Sequence, residues 1–314
     1  MGFAFRCNHC RHEISGMVSA LQCTACGRTY RNEKGILIFT DDPVISDDDN
    51  GYIGYDGIAA NYAAHAYPCE IAEKLHANTA EMISNLIGQG KRVLNLGCGP
   101  GFLDVELAMR GHDILSGDIS IDMLHILNAL LPDGLRCKVI PCRMNAYKIP
   151  LSNQSVDVVL SFQMLPFVAN PKIVLQEIRR VLKPGGYFIT DGDGVQVSSH
   201  DEICMEMRIE YSEQLQQRGI EEYQISEYSR HLQETFKGPL TVESPDLRFE
   251  FTSTVGAFYA KLSSRFTAFQ VAVDENVHRE IMRDIYVNVT KKYGEEVLLR
   301  EVHHVWIHKL NVFV

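Results

Sequence analysis

The chain has 314 residues, 46% hydrophobic and 22% charged, with a formal net charge of -10. That composition suits a globular protein with one large domain and a small one, and no apolar run reaches the roughly 18 residues that span a bilayer. The acidic balance disfavours polyanion partners, which are held through clustered Lys and Arg, and nine cysteines without an export signal argue against a disulfide framework.

The N-terminus, Met1-Gly2-Phe3-Ala4-Phe5-Arg6, lacks the apolar core and cleavage site of a signal peptide, and Arg6 stands where a myristoylation motif needs Ser or Thr. A cytoplasmic location is therefore expected. Cys7-x2-Cys10 and Cys23-x2-Cys26 follow, with residues 11–22 between them. Each pair can bite one tetrahedral ion, so Cys7, Cys10, Cys23 and Cys26 are the expected zinc ligands. Four thiolates leave no open coordination position, which makes the expected role structural. An iron–sulfur or rubredoxin-like iron site stays open, and His9 and His12 are competing ligands. Redox use of the pairs lacks the βαβ setting of that motif. Residues 1–40 are read as a zinc ribbon and residues 41–54, with Asp41, Asp42, Pro43 and Asp47–Asp49, as an acidic solvated linker.

Residues 55–314 are read as one α/β domain. Helical spacing covers Ile71–Ile87, Phe102–Arg110, Ile121–Leu131 and Lys172–Leu182. Short apolar strands fall at Arg92–Leu96, Asp113–Asp118, Lys138–Ile140, Val156–Leu160 and Gly186–Thr190. Such alternation predicts βαβ units and a mostly parallel sheet covered by helices on both faces. The remainder is mainly helical, over Glu202–Gln217, Val255–Leu262 and Val277–Tyr293. Leu247–Phe251 and His303–His308 alternate like strands and are expected to close the sheet. The stretch of about 195–245 is expected to form a helical lid over substrate, since it follows the fifth strand.

Gly97-Cys98-Gly99-Pro100-Gly101 lies between a strand and a helix, where glycines let the backbone approach a ligand and the helix N-terminus offers free N–H groups. Phe102 stands where a dinucleotide fingerprint needs its third glycine. Asp118 ends the next strand, where a carboxylate can take both ribose hydroxyls of an adenosyl group. At the end of the fifth strand, Asp191 and Asp193 are candidates to orient an acceptor or act as base, with turn formation in Asp191-Gly192-Asp193-Gly194 as the alternative. His200 is a further candidate base. His304 and His308 alternate onto one face and His303 onto the other, which disfavours a three-histidine metal site.

Val93-Leu94-Asn95-Leu96-Gly97-Cys98-Gly99-Pro100-Gly101 resembles the first motif of class I S-adenosylmethionine (SAM)-dependent methyltransferases. Gly117–Leu124 resembles their second-strand motif. Asn145–Leu151 with Val156–Ser161 resembles the adenine loop and fourth strand, and Arg179–Gly186 the turn before the fifth. Tyr55–Tyr62 resembles the segment that covers the cofactor. The resemblance implies a Rossmann-like class I sheet with helical insertions. It also implies SAM bound by Tyr62, Asn95, Gly97, Cys98, Gly99, Gly101, Asp118, Ile119, Met123, Asn145, Ala146 and Phe162. The family carries an acid where this chain has Asn95, and often Asp where it has Asn145. Asn keeps an acceptor oxygen without the charge, which implies weaker cofactor binding.

Ser161-Phe162-Gln163-Met164 lacks the Asn/Asp-Pro-Pro-aromatic motif of amino-group DNA methyltransferases, and Pro141-Cys142 follows the third strand and is read as structural. Leu21–Tyr30 followed by Gly35–Leu37 is similar to the small zinc-ribbon family that includes the activator subunit of tRNA and translation-factor methyltransferases. The fusion of ribbon to methyltransferase is similar to ribosomal RNA guanine methyltransferases. Arg6, Arg11, Arg28 and Arg31 would supply an RNA-facing surface, against the net charge. The expected function is thus methyl transfer from SAM to a small-molecule acceptor, without a membrane and with zinc at the ribbon. RNA base methylation is the first alternative, and a non-catalytic SAM-binding scaffold the second.

Overall fold

The computed structural model describes residues 2–17, 20–40, 55–66, 69–191, 196–197, 201–220, 229–242, 247–265, 268–305 and 307–311. The N-terminal part forms β1 (Ile14–Met17), β2 (Ala20–Cys23), β3 (Thr29–Glu33) and β4 (Ile36–Ile38). Next come α1 (Ala59–His65), α2 (Cys69–Ile87), β5 (Arg92–Leu96), α3 (Phe102–Met109), β6 (Asp113–Asp118), α4 (Ile121–Leu130), β7 (Val139–Arg143), β8 (Val156–Ser161), α5 (Pro171–Val181) and β9 (Leu182–Thr190). The C-terminal part holds β10 (Gln196–Val197), α6 (Glu202–Gln217), α7 (Ser229–Thr235), β11 (Lys237–Val242), β12 (Arg248–Thr254), α8 (Val255–Ser263), α9 (Ala268–Ala272), α10 (Glu275–Tyr293), β13 (Leu298–His304) and β14 (Ile307–Asn311).

Among the described residues the main sheet has eleven strands, in the order β1-β2-β3-β4-β7-β6-β5-β8-β9-β14-β11. Strands β7, β6, β5, β8 and β9 run parallel, and β14 enters antiparallel between β9 and β11. The central strands are buried on both faces, which is why Val93-Leu94, Ile114-Leu115 and Val158–Leu160 read as continuous apolar runs. One core layer, with Leu94, Leu115, Val159 and Phe188, lies against α5 and α7; the other, with Val93, Ile114, Val158 and Ile189, lies against α2, α3 and α4. This is the Rossmann-like α/β arrangement that the alternation predicts.

The N-terminal cysteine segment is not set apart from this sheet. Strand β4 pairs in parallel with β7, Leu37 opposite Cys142 and Ile38 opposite Arg143. The Arg6 N–H donates to the Pro150 carbonyl at 3.0 Å, and Phe5 bridges to Leu151. Phe3, Phe5, Leu21, Leu37 and Phe39 belong to the same apolar layer as Leu94 and Phe188. Cys142 is fully buried on β7, where burial pushes its thiol up, as the structural reading of Pro141-Cys142 expects.

Two sequence expectations need correction. Leu247–Phe251 does not close the main sheet. Arg248–Phe251 lies in β12 of a separate antiparallel sheet, β10-β13-β12, with Phe249 opposite His303, and Leu247 precedes the strand. The closing pair is β11 and β14, with His308 opposite Thr190. His303 and His308 therefore stand in different sheets, so their alternation along one strand does not apply. The stretch expected as a lid also divides. Helix α7 packs on α5, with Leu232 and Phe236 in the main core and the Phe236 ring 5.2 Å from Phe188. Helix α6 instead packs with α8 and α10 around Met207, Phe258, Ile281 and Ile285. The linker 41–54, Asp193 and His200 include or are residues outside those described.

Candidate cofactor site and cysteine cluster

The carboxyl ends of β5, β6, β7 and β8 converge on the glycine loop. Gly97, Gly99 and Gly101 all have left-handed backbone, at φ 75°, 54° and 74°. The three are not equivalent. A Cβ at Gly97 would lie 2.5 Å from the Met164 side chain, and one at Gly101 would lie 2.2 Å from Leu127 Cδ1. One at Gly99 would meet nothing within 4 Å. Gly97 and Gly101 therefore allow close packing, while Gly99 presents bare backbone to open space where a ligand can approach.

Asp118 closes the other side. Its Oδ2 accepts from the Gly99 N–H at 2.8 Å and its Oδ1 from the Ser120 N–H at 2.9 Å. Burial raises its pKa, opposed by these backbone donors. Each carboxylate oxygen retains acceptor capacity, the requirement for gripping a pair of vicinal hydroxyls. Ile119 accepts from Arg143 Nε through its carbonyl at 3.0 Å, and Met123 is buried behind the start of α4. The Met144 N–H donates to the Asp118 carbonyl at 2.9 Å, which brings Asn145 and Ala146 beside the end of β6. Asn145 Oδ1 accepts from the Tyr147 N–H at 2.8 Å and caps the turn 146–148.

The segment before α2 folds onto this edge. Tyr62 on α1 stacks edge-on to Tyr55 at 5.1 Å. Asp56 Oδ1 accepts from Ser120 Oγ at 2.6 Å, and the Gly57 N–H donates to Asp122 Oδ2 at 2.7 Å, so the loop is latched to the start of α4. Asn61 Nδ2 donates to the Ser264 carbonyl, which ties the same segment to the end of α8. Neither Asp56 nor Asp122 stands out in the sequence, because the latch joins residues far apart in the chain.

Asn95 donates through Nδ2 to Asp104 Oδ2 at 2.7 Å, and both are buried. Asp104 was not legible as a site residue. In the sequence it is an ordinary first-turn acid of α3. Cys98 is half-buried beside Asp104 and Asp118, and desolvation followed by their charge pushes its thiol well up, so it is a neutral wall and not a nucleophile. Asp191 is 1% exposed and accepts from the Gln163 N–H at 3.1 Å, where Gln163 adopts φ 53°. It thereby holds the loop that carries Phe162 and Met164 against the glycines.

The four N-terminal cysteines form a second cluster, with their sulfurs within 4.8 Å of one another. Cys7 Sγ lies 3.8 Å from Cys26 Sγ and Cys10 Sγ 3.3 Å from Cys23 Sγ. Tetrahedral thiolates at a Zn–S distance of about 2.3 Å are about 3.8 Å apart, so the spacing fits zinc with little adjustment. Tyr30 Oη donates to Cys7 Sγ at 3.0 Å. His12 turns away, its Nδ1 on the Cys10 carbonyl at 3.1 Å, and the cluster among the described residues contains neither His9 nor His12.

Residues 94–190 match the family model for a methyltransferase domain. An uncharacterized methyltransferase of Mycobacterium tuberculosis is 40% identical over 96 residues, covering 31% of this chain and 37% of the relative. A ubiquinone biosynthesis O-methyltransferase of Psychrobacter arcticus is 29% identical over 168 residues, covering 52% and 62%. The chain spans 37% of the length of the first curated relatives it matches. The solved YcgJ protein of Bacillus subtilis superposes with a TM-score of 0.46 at 11% identity, over 75% of this chain and 98% of that one. Residues 94–190 thus carry a methyltransferase domain. No helix among the described residues is long and apolar enough to cross a membrane.

Proposed function

We propose that this protein transfers the SAM methyl group to a small-molecule acceptor and that its four-cysteine cluster holds a structural zinc ion. The observation that carries the cofactor reading is the pairing of Asp118 with Gly99. A carboxylate is held by two backbone N–H groups beside a left-handed glycine whose Cα faces open space. Tyr62, Ile119, Met123, Asn145, Ala146 and Phe162 complete the assigned contacts. Methyl transfer is an in-line displacement on the sulfonium, and alignment can supply about 7–11 kcal/mol of the acceleration.

The small-molecule reading rests on cover and charge. The segment with Tyr62 is tied both to α4 and to the end of α8, so the cofactor edge is roofed by the chain itself. The net charge of -10 disfavours a polyanion. The name of the Psychrobacter arcticus relative points to a small acceptor for that protein, which supports the same class here. Asp191, which orients the loop carrying Phe162, stays the described candidate to orient an acceptor or act as base. The metal reading rests on the sulfur spacing and on the all-thiolate donor set. With β4 running into the main sheet, the ion would brace the sheet's edge.

Titration calorimetry with SAM and S-adenosylhomocysteine, then transfer of labelled methyl to metabolite extract and to bulk RNA, tests the reading. One-to-one cofactor binding with label in small molecules is expected. Label in RNA, with salt-sensitive retention of RNA on filters, would overturn the acceptor class. Absence of cofactor binding would overturn the whole reading.

A further inference from the structure

The cofactor site contains a buried carboxylate that the sequence motif does not assign. Asn95 on β5 and Ser116 on β6 are register partners, and both aim at Asp104 from α3. Asn95 Nδ2 donates to Oδ2 at 2.7 Å and Ser116 Oγ to Oδ1 at 2.5 Å. Asn95 is 4% exposed, and Asp104 and Ser116 are 0% exposed. The simplest structural role for an acid in a first helical turn is capping, and the Asp104 carboxylate does take its own backbone N–H, but it also reaches across to two side chains of the sheet. It has no salt bridge among the described residues, and the ionisable groups beside it are another acid, Asp118, and the neutral Cys98 thiol. A buried carboxylate held only by neutral donors is short of positive charge.

We infer that Asp104 is a positioning residue for the cationic, methionine end of SAM, carrying the negative charge that Asn95 lacks and fixing the Asn95 amide with its carbonyl oxygen turned away from α3. The inference rests on the cofactor reading above. An ionised carboxylate only accepts, so it compels Nδ2 to face it and leaves Oδ1 as the acceptor for an ammonium. The resembling family usually carries its acid at position 95; here position 95 is an amide, and an acid stands behind it across a 2.7 Å hydrogen bond. The charge remains in the same cluster, one layer further from the ligand.

The test is binding of SAM and S-adenosylhomocysteine to the full chain and to Asp104→Asn, Asn95→Asp and the double exchange Asn95→Asp/Asp104→Asn. Asp104→Asn is expected to weaken SAM binding about five- to tenfold, the difference between a charge-assisted and a neutral hydrogen bond. The double exchange is expected to recover it, because it restores the acid at position 95 and an amide behind it. Wild-type SAM affinity is expected to rise with pH as Asp104 ionises, burial having raised its pKa to about 6, and this rise should vanish in Asp104→Asn. The residual pH dependence reports Asp118 on β6, with Asp56 beside it. Wild-type binding that is unchanged in Asp104→Asn, or a folded double exchange no tighter than Asp104→Asn, would overturn the inference alone. A wild-type chain that binds neither ligand would overturn the cofactor reading, and this inference with it. The wild-type pH profile needs no variant: SAM affinity that stays unchanged from pH 8 down to the ordinary carboxylate range, where Asp104 takes up its proton, overturns the inference even where the substitutions fail to fold.

Discussion

Replacing Gly101 and Gly99 separately by alanine should divide stability from binding within one loop. Both positions have left-handed φ, 74° and 54°, so alanine costs each about 1–2 kcal/mol of backbone strain. At Gly101 the new methyl would also sit 2.2 Å from Cδ1 of Leu127, a fully buried side chain that would have to shift within the core. Overpacking of that kind costs a further 1–3 kcal/mol or so. Gly101→Ala is therefore expected to lose about 2–5 kcal/mol, and Gly99→Ala about 1–2 kcal/mol. Binding should order the other way. At Gly99 the methyl enters the space in which the ligand backbone contact is made, so a folded Gly99→Ala should lose SAM affinity by more than tenfold, the equivalent of about 1.4 kcal/mol. Urea unfolding read by circular dichroism gives the first quantity and calorimetry the second. Equal stability losses in the two variants, or wild-type affinity in Gly99→Ala, would refute the division of roles among the glycines.

Asp118→Asn should weaken SAM binding by about 1–3 kcal/mol, since it halves the acceptor capacity that faces the ribose; unchanged calorimetric affinity would count against that assignment. Asp104→Asn should stabilise the ligand-free protein at high pH. The folded pKa of about 6 exceeds the ordinary carboxylate value, so the unfolded chain gives up its proton first and stability is lost as pH rises through that window. The gain should be on the order of 2–3 kcal/mol at pH 8 and absent at pH 3.5, read by thermal unfolding; a loss at pH 8 would mean that its hydrogen bonds matter more than its charge. Metal analysis should find one zinc per chain, lost in Cys23→Ser, with a lower melting temperature because β4 then frays from β7. Iron in place of zinc, or a melting temperature indifferent to chelation, would contradict the structural zinc site.

The sequence made some parts legible and concealed others for physical reasons. The strands β5, β6 and β8 are buried on both faces, so their apolar runs announce them, and the glycine spacing with Asp118 marks the candidate cofactor edge from local pattern alone. The β4–β7 pairing is a long-range contact that no local pattern encodes, and Ile36–Ile38 looks like the core of a small separate unit. β11 was hidden by Gly238 and Pro239, which weaken a strand signal; an edge strand tolerates the missing N–H, and β11 is the edge. Leu247–Phe251 alternates as a strand should, but alternation does not say to which sheet a strand belongs. Asp104 resembled a helix-start acid because its partners, Asn95 and Ser116, lie on two other elements. The missing acid at Asn95 is visible in the sequence; the hydrogen bond from Asn95 to Asp104 is visible only in the tertiary structure.

The most direct test of the central claim is a calorimetric titration of the full chain with S-adenosylhomocysteine at pH 7.5, repeated with Asp118→Ala. One-to-one binding by the wild type, abolished in a folded Asp118→Ala, is the predicted result. No binding by the wild type, or equal binding by both proteins, would contradict the assignment of the Gly99–Asp118 edge as the cofactor site.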